Sequence, residues 1–275
     1  MPKASRNNIS WSLWDRLKVL FTLPYEMAKM FGIISKGRKI GGRTDGDNLH
    51  YSVSSNHSVD LMKSVKNAHN VSFSAVALSC VSGAIARALQ NNGREPPKML
   101  DIGYALPLVN HPGGMNVHML ATITELPCGA ENSVDRLMKT HEVLRKINFR
   151  AILAAKALHD FLRLEAIIPS RLLRIMMMRG SNLGPSASVS NFPATLSKDF
   201  VDGLEFVDIF IALSSSTRVG LCISSGGVNG KQRFHFLLDK SIFGTESSAM
   251  KIASLYEEEL EELLKHEYTD NQDFV

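Results

Sequence analysis

Long apolar runs are missing from this chain. Nowhere does it hold the roughly 18 or more consecutive apolar residues that a membrane-spanning helix needs. The polar stretch 1–10 also lacks the apolar centre of a secretory signal. Cysteine is scarce: Cys80, Cys128 and Cys222 are odd in number, far apart and never in a C-x-x-C pair. That excludes a disulfide framework and a zinc cluster and predicts free thiols. The nine histidines show no ligand spacing such as H-E-x-x-H, so no metal is expected. No G-x-S-x-G appears, which removes a nucleophile elbow. Gly226 to Lys231 is glycine-rich but lacks the Walker spacing and falls between two strands, so it is not a phosphate loop. A net charge of +4 over 275 residues is too mild to imply a nucleic-acid partner. Internal repeats and low-complexity tracts are absent as well.

What is present fits a globular chain with a sizeable core: 44% hydrophobic residues and 21% charged. Trp11 to Ile34 carries Trp11, Trp14, Leu17, Leu20 and Phe21 at near-helical spacing, with Ser10 as a plausible cap and Pro24 expected to end or kink the helix. A basic cluster follows at Lys36, Arg38, Lys39 and Arg43. Trp11, Trp14, Lys36, Arg38 and Lys39 together have the composition of a membrane-surface anchor. A surface helix packing on a further domain shares the same pattern. The turn-rich stretch from Arg43 to Asn48 marks a boundary. It divides a basic amphipathic segment, 1–47, from a main domain, 48–268, and a tail, 269–275.

Within the main domain, Leu49–Ser54 reads as a strand, Val59–Asn67 as a short helix and Ser72–Leu89 as a longer helix with a small-residue stripe. Strands are expected at Ile102–Val109 and Met115–Leu126 around the His111-Pro112-Gly113-Gly114 turn. A long helix follows over Ser133–Leu164, and another after Pro169. The last third predicts strands at Ala187–Asn191, Val207–Leu213, Val219–Ser225 and Phe234–Asp239, with a hairpin turn over Gly226–Gly230. The final helix, Thr245–Lys265, has a glutamate run that reads as a solvated face. Strands and helices mixed in this order predict an α/β layered domain.

One pair could carry chemistry directly. His235 and Asp239 have the H-x-x-x-D spacing of the coenzyme A-dependent acyltransferases, in which a histidine deprotonates the acceptor hydroxyl. Here they lie inside a strand. The flanking histidine and glycine of H-H-x-x-x-D-G are replaced by Phe234 and Lys240, so the pair reads as a decoy beside the weaker alternative of a real base.

Val189-Ser190-Asn191-Phe192-Pro193 resembles the S-N-V-P-G-P signature of the C-terminal domain of wax ester synthase/diacylglycerol acyltransferases. Ser72–Leu89 is similar to that family's T-V-N-D-V-x-L-A helix. Pro107 followed by Asn116-Val117 is similar to its P-V-x-x-R and G-N pair, and Leu126-Pro127 to its next strand end. Gly226–Asp239 resembles the Y-x-G-x-x-x-F-x-x-x-x-D hairpin. The likeness runs from about 50 to 268. There are departures: the family's N-D pair falls on Ser74-Ala75, its Gly-Pro on Ala194-Thr195, and no H-H-x-x-x-D-G lies upstream of residue 50.

The resemblance implies half of a chloramphenicol-acetyltransferase-like fold, a mixed sheet with flanking helices, with a tunnel between two similar halves. Its implied reaction moves a fatty acyl group from acyl-CoA, as co-substrate, to a long-chain alcohol or diacylglycerol. The base would come from an N-terminal half not in this chain, at the cytoplasmic face of the endoplasmic reticulum or plasma membrane. Ser190, Asn191, Pro193, Ser74 and Asn116 would line the substrate tunnel. On the residues alone, Ser190–Pro193 reads first as a strand end with a turn-forming Asn and a terminating Pro, and the order of the flanking motifs shifts it to site-lining. A catalytically inactive lipid- or partner-binding module is the alternative function.

Overall fold

A computed structural model of the chain describes residues 13–41, 49–107, 119–147, 171, 183–192, 194–213 and 219–270. Trp11, Asn116 and Pro193 lie outside the described residues, as do the His111–Gly114 turn, all of the expected long helix beyond Ile147 and nearly all of the one after Pro169.

The described elements run α1 (Leu13–Ser35), β1 (Leu49–Val53), β2 (His57–Ser58), α2 (Val59–Ala68), α3 (Phe73–Gln90), β3 (Met99–Pro107), β4 (Met119–Pro127) and α4 (Ser133–Lys146). They continue with β5 (Ala187–Asn191), β6 (Phe200–Val201), β7 (Leu204–Glu205), β8 (Leu221–Gly226) and β9 (Lys231–Asp239). A 3-10 turn over Lys240–Phe243 leads to α5 (Glu246–Met250) and α6 (Ile252–Asp270). One mixed sheet has the order β1-β9-β8-β5-β3-β4, with β2 added beside β9. β3, β5 and β8 are mutually parallel, while β9 runs antiparallel to β8 and β1, and β4 antiparallel to β3. The short hairpin β6–β7 stands apart.

Local sequence dictates several boundaries. The Ser72 hydroxyl accepts from the backbone N–H of Ala75 and starts α3. Asn132 caps α4 through the Asp135 N–H. Asn229 and Gly230 both have positive φ, and the Lys231 N–H closes on the Val228 carbonyl at 3.1 Å. That is the mirror-image turn an Asn-Gly pair favours in a hairpin.

One face of the sheet carries Ile102, Val189, Ile223, Phe234, Phe236 and Leu238 against the helix layer of α2, α3, α4 and α6. α3 is the one described helix long and apolar enough to cross a membrane, and it is the central core helix, with 14 of its 18 residues buried. At about 25 cal/mol per Å² of apolar area, this packed face is the main source of stability.

Three expectations change. Pro24 lies inside a continuous helix: it costs one backbone hydrogen bond, which the packing of Met30 and the C-terminal half of α1 on β4 offsets. Val207–Leu213 forms no strand. The glutamate run of α6 is not all solvated, since Glu259 is buried.

Candidate functional site

The S-N signature ends β5, beside the parallel β8, at the carboxyl ends of the strands where open α/β sheets place ligand sites. Side chains alternate along a strand, so Ser190 and Asn191 face opposite sides of the sheet. Asn191 turns to the helix side. Its Oδ1 accepts from the Ser225 hydroxyl and, at 3.2 Å, from Gln232 Nε2. Gln232 is wholly buried, and its Nε2 also reaches Ser225 Oγ (3.1 Å) and the Phe192 carbonyl (3.4 Å). The chain beyond Asn191 stays bound to the β8–β9 hairpin through Phe192 N–H to Ser225 O and Thr195 N–H to Gly227 O. Asn191 therefore fixes this turn, and Ser190 alone of the pair faces the opposite side of the sheet.

On that side the register aligns Ser190, Ser224, His235 and Val53 in one row across β5, β8, β9 and β1. Tyr51, two residues before Val53, shares a 2.6 Å hydrogen bond between its hydroxyl and His235 Nδ1. Nε2 of His235 is buried without a partner among the described residues. Burial, reinforced by the nearby Arg233 charge and opposed by Asp208, pushes the His235 pKa down to about 4. Burial also raises the Tyr51 hydroxyl above its ordinary value.

Residues 206–213 lie over this row as a strap. Asp208 pairs with Arg233 at 2.6 Å, and Asn56 contacts both of them. Phe210 packs its edge towards His235 and stacks beneath the Arg233 guanidinium at 4.5 Å. Ser224 Oγ donates to the Ile211 carbonyl at 3.1 Å, and Asn229 Nδ2 to the Phe206 carbonyl at 2.8 Å. These side chains satisfy strap backbone groups that a ladder would otherwise take, the physical reason an apolar alternating stretch is not a strand here. Gly226 lies close beneath the strap: a Cβ there would meet Ile211 Cδ1 at 2.6 Å and push that side chain aside.

His235 and Asp239, whose spacing reads as a decoy in the sequence, do not meet in the structure. Four residues along a strand separate them by about 13 Å, and the Asp239 carboxylate caps the following 3-10 turn through Ser241 N–H and Oγ. Tyr51 is the partner of His235 instead. Ser74 sits in the first turn of α3, beside α4, with the sheet between it and Ser190. Of the membrane-surface set, Trp14 and Lys36 are exposed and Arg38 is half-buried. Lys39 is corrected: its Nζ lies 2.8 Å from Glu125 and 3.9 Å from Asp101, and donates to the Met99 carbonyl, so it ties the basic segment to the sheet. The sequence reading missed Tyr51, Asp208, Ser224, Ser225, Gln232 and Arg233 as site residues. Only strand register and the course of the strap bring them together. Among the described residues no group of three His, Cys, Asp or Glu side chains could hold a metal ion.

No family profile and no curated protein sequence matches this chain. Solved structures do. The wax ester synthase/diacylglycerol acyltransferase from Marinobacter aquaeolei VT8 superposes with a TM-score of 0.55 at 15% identity, over 90% of this chain and 57% of that one.

This chain has half of the coenzyme A-dependent acyltransferase fold.

The epimerization domain from the third module of tyrocidine synthetase B matches with a TM-score of 0.57 at 14% identity, over 97% of this chain and 61% of that one. A condensation domain of the enacyloxin polyketide synthase matches at 0.52 and 11%, over 91% and 47%. The chain thus spans about half to three-fifths of the length of these neighbours. It is an α/β half of that fold, and the resemblance to wax ester synthases read from the Ser190-Asn191 signature extends to its three-dimensional form.

Proposed function

We propose that this chain forms one wall of an O-acyltransferase site that moves a fatty acyl group from acyl-CoA to a long-chain alcohol or diacylglycerol. The observation that carries the reading is the row of Ser190, Ser224 and the Tyr51–His235 pair at the carboxyl ends of β5 and β8, bordered by the exposed apolar strap. In this reading a base from an upstream half takes the acceptor hydroxyl proton. The resulting oxygen attacks the thioester carbonyl, the C–S bond breaks, and the coenzyme A thiolate leaves and takes a proton. The Ser190 hydroxyl would donate to the carbonyl oxygen as its charge grows, since those of Ser224 and Tyr51 are engaged by Ile211 and His235. The apolar side chains of Leu196, Phe200, Leu204 and Phe210 offer surface to an acyl chain. Both substrates partition into membranes, so this reading puts the reaction at the cytoplasmic face of the endoplasmic reticulum or plasma membrane.

His235 is a poor base in its own right: its pKa near 4 leaves little proton affinity at neutral pH, and Nδ1 is engaged by Tyr51. That observation favours a second reading, a catalytically inactive module that binds acyl-CoA or lipid.

Titration calorimetry with palmitoyl-CoA and an ester-forming assay with hexadecanol test both. Binding by the chain alone, with esters formed only when an upstream half carrying a histidine base is joined to it, supports the acyltransferase reading. In that joined enzyme Asn191→Ala should lower kcat by about tenfold or more, by loosening the signature turn. Unchanged kinetics would reject that role. Binding with no turnover in either form supports the inactive module, and no binding at all removes both.

A further inference from the structure

α1 is apolar on two sides. Met30 is buried and, with Ile33, faces β4, as a surface helix requires. A second stripe at 14, 17, 21, 25, 28 and 31 follows helical spacing and is exposed along its whole length. Trp14 is 73% exposed, Phe21 78%, Tyr25 68% and Phe31 53%. Four large aromatics on one helix face, all in solvent, is an arrangement that monomeric surfaces avoid. Lys29 and Lys36 are seven residues apart, fall on one row beside this stripe and are both exposed. Lys29 has only a loose 3.8 Å pair with Glu26.

Charge separates the possible occupants. Residues 1–41 hold eight Lys and Arg against two acidic residues, a net +6. The remaining residues hold 23 against 25, a net −2, so the whole excess of +4 belongs to this segment. Lys39 is spent on Glu125 and Asp101, whereas Lys29 and Lys36 stand exposed beside the aromatic stripe. An aromatic-rich helix face edged with lysines, on a segment whose net charge is +6 while the rest of the chain is −2, is complementary to an anionic lipid surface. A protein partner would call for the apolar stripe but not for the charge.

We infer that α1 docks this protein on an anionic membrane surface, with Trp14, Phe21, Tyr25 and Phe31 at the acyl boundary and Lys29 and Lys36 at the headgroups. The inference does not rest on acyl transfer, and its test reads none.

The full chain, with Trp11→Phe leaving Trp14 as sole tryptophan, is mixed with phosphatidylcholine vesicles with and without phosphatidylserine. Co-sedimentation and Trp14 emission are recorded. Binding should rise at least about tenfold with phosphatidylserine, weaken with salt, and shift Trp14 emission to the blue. Phe21→Glu/Phe31→Glu replaces two exposed side chains, so helicity by circular dichroism should be unchanged while vesicle binding falls about tenfold or more. Equal binding by this variant overturns the inference, as does failure of the parent chain to bind either vesicle. A parent that ignores vesicles but sediments as a dimer, which the same variant splits, gives the stripe to a second copy. The neighbours carry about two-fifths of their length beyond the matched span. If the chain binds vesicles alone but not when joined to an upstream half, the stripe belongs to that protein contact and the inference falls.

Discussion

His235 is held neutral by its surroundings, and this has a pH consequence. Its folded pKa of about 4 lies below the usual value of about 6.5. Between those values the unfolded chain takes up a proton that the folded chain refuses, so the unfolded state binds more protons and stability rises with pH. The stabilisation is complete above about pH 6.5 and declines as pH falls towards 4. Denaturant unfolding at pH 7.0 and 5.0 should therefore give a lower midpoint at 5.0. In His235→Phe the part of that difference due to this residue should vanish, and an identical pH difference in the variant would show that other groups cause it. The thiols behave oppositely in kind. Burial raises all-buried Cys80 and pushes Cys128 up to about 11, so both remain unreactive at neutral pH.

At the scale of elements, α6 shows how a buried charge constrains a packing site. Its inner stripe is Ile252, Leu255, Tyr256, Leu260 and Leu263, with Glu259 in the same row. Glu259 receives Arg136 from α4 and Arg87 from α3, each at 2.5 Å, and lies 3.0 Å from Ser133 Oγ. Gly83 on α3 leaves the space for this cluster, because a Cβ there would overlap the Glu259 carboxylate. Buried ion pairs are weak sources of net stability but costly to break. Gly83→Ala should displace the carboxylate and destabilise the fold by about 2 kcal/mol or more. For a chain of this size that lowers Tm by about 5 °C or more in a thermal melt. A stabilising outcome, expected if only helix propensity mattered, would show that the cluster shifts freely.

The whole molecule presents more apolar surface than its core packing requires. α1 contributes one stripe, and residues 192–213 contribute Leu196, Phe200, Val201, Leu204, Val207 and Phe210. Monomers that expose such patches use them for contact or aggregate. The chain alone should therefore bind an apolar-surface dye and self-associate at micromolar concentration, and joining an upstream half should reduce both. A monodisperse chain with low dye fluorescence would show that these side chains are tolerated in water. α1 and Lys39 pack on the same sheet as the rest, so the basic segment is joined to the main layer by side chains as well as by the backbone.

Periodicity and capping residues alone determined much of this protein. The α/β class, the strand at Ala187–Asn191, the Ser72 cap of α3, the Asn229-Gly230 hairpin and the free buried thiols follow from local rules that act within a few residues. The likeness to acyltransferases was also legible, because motif order survives where identity to the solved structure is 15%. Tertiary structure decided the rest. The pairing of Tyr51 with His235, 184 residues apart, depends on the register of β1 against β9. The pleat alone sends Ser190 and Asn191 to opposite faces. Val207–Leu213 has a strand's composition but became a strap, because Arg233, Asn56, Ser224 and Asn229 from other elements took its polar groups. Glu259 looks solvated in a run of glutamates and is buried because Arg87 and Arg136 converge on it from two other helices. Local order comes from neighbours in the chain, whereas charge pairing and register come from residues far along it that only the folded chain brings together.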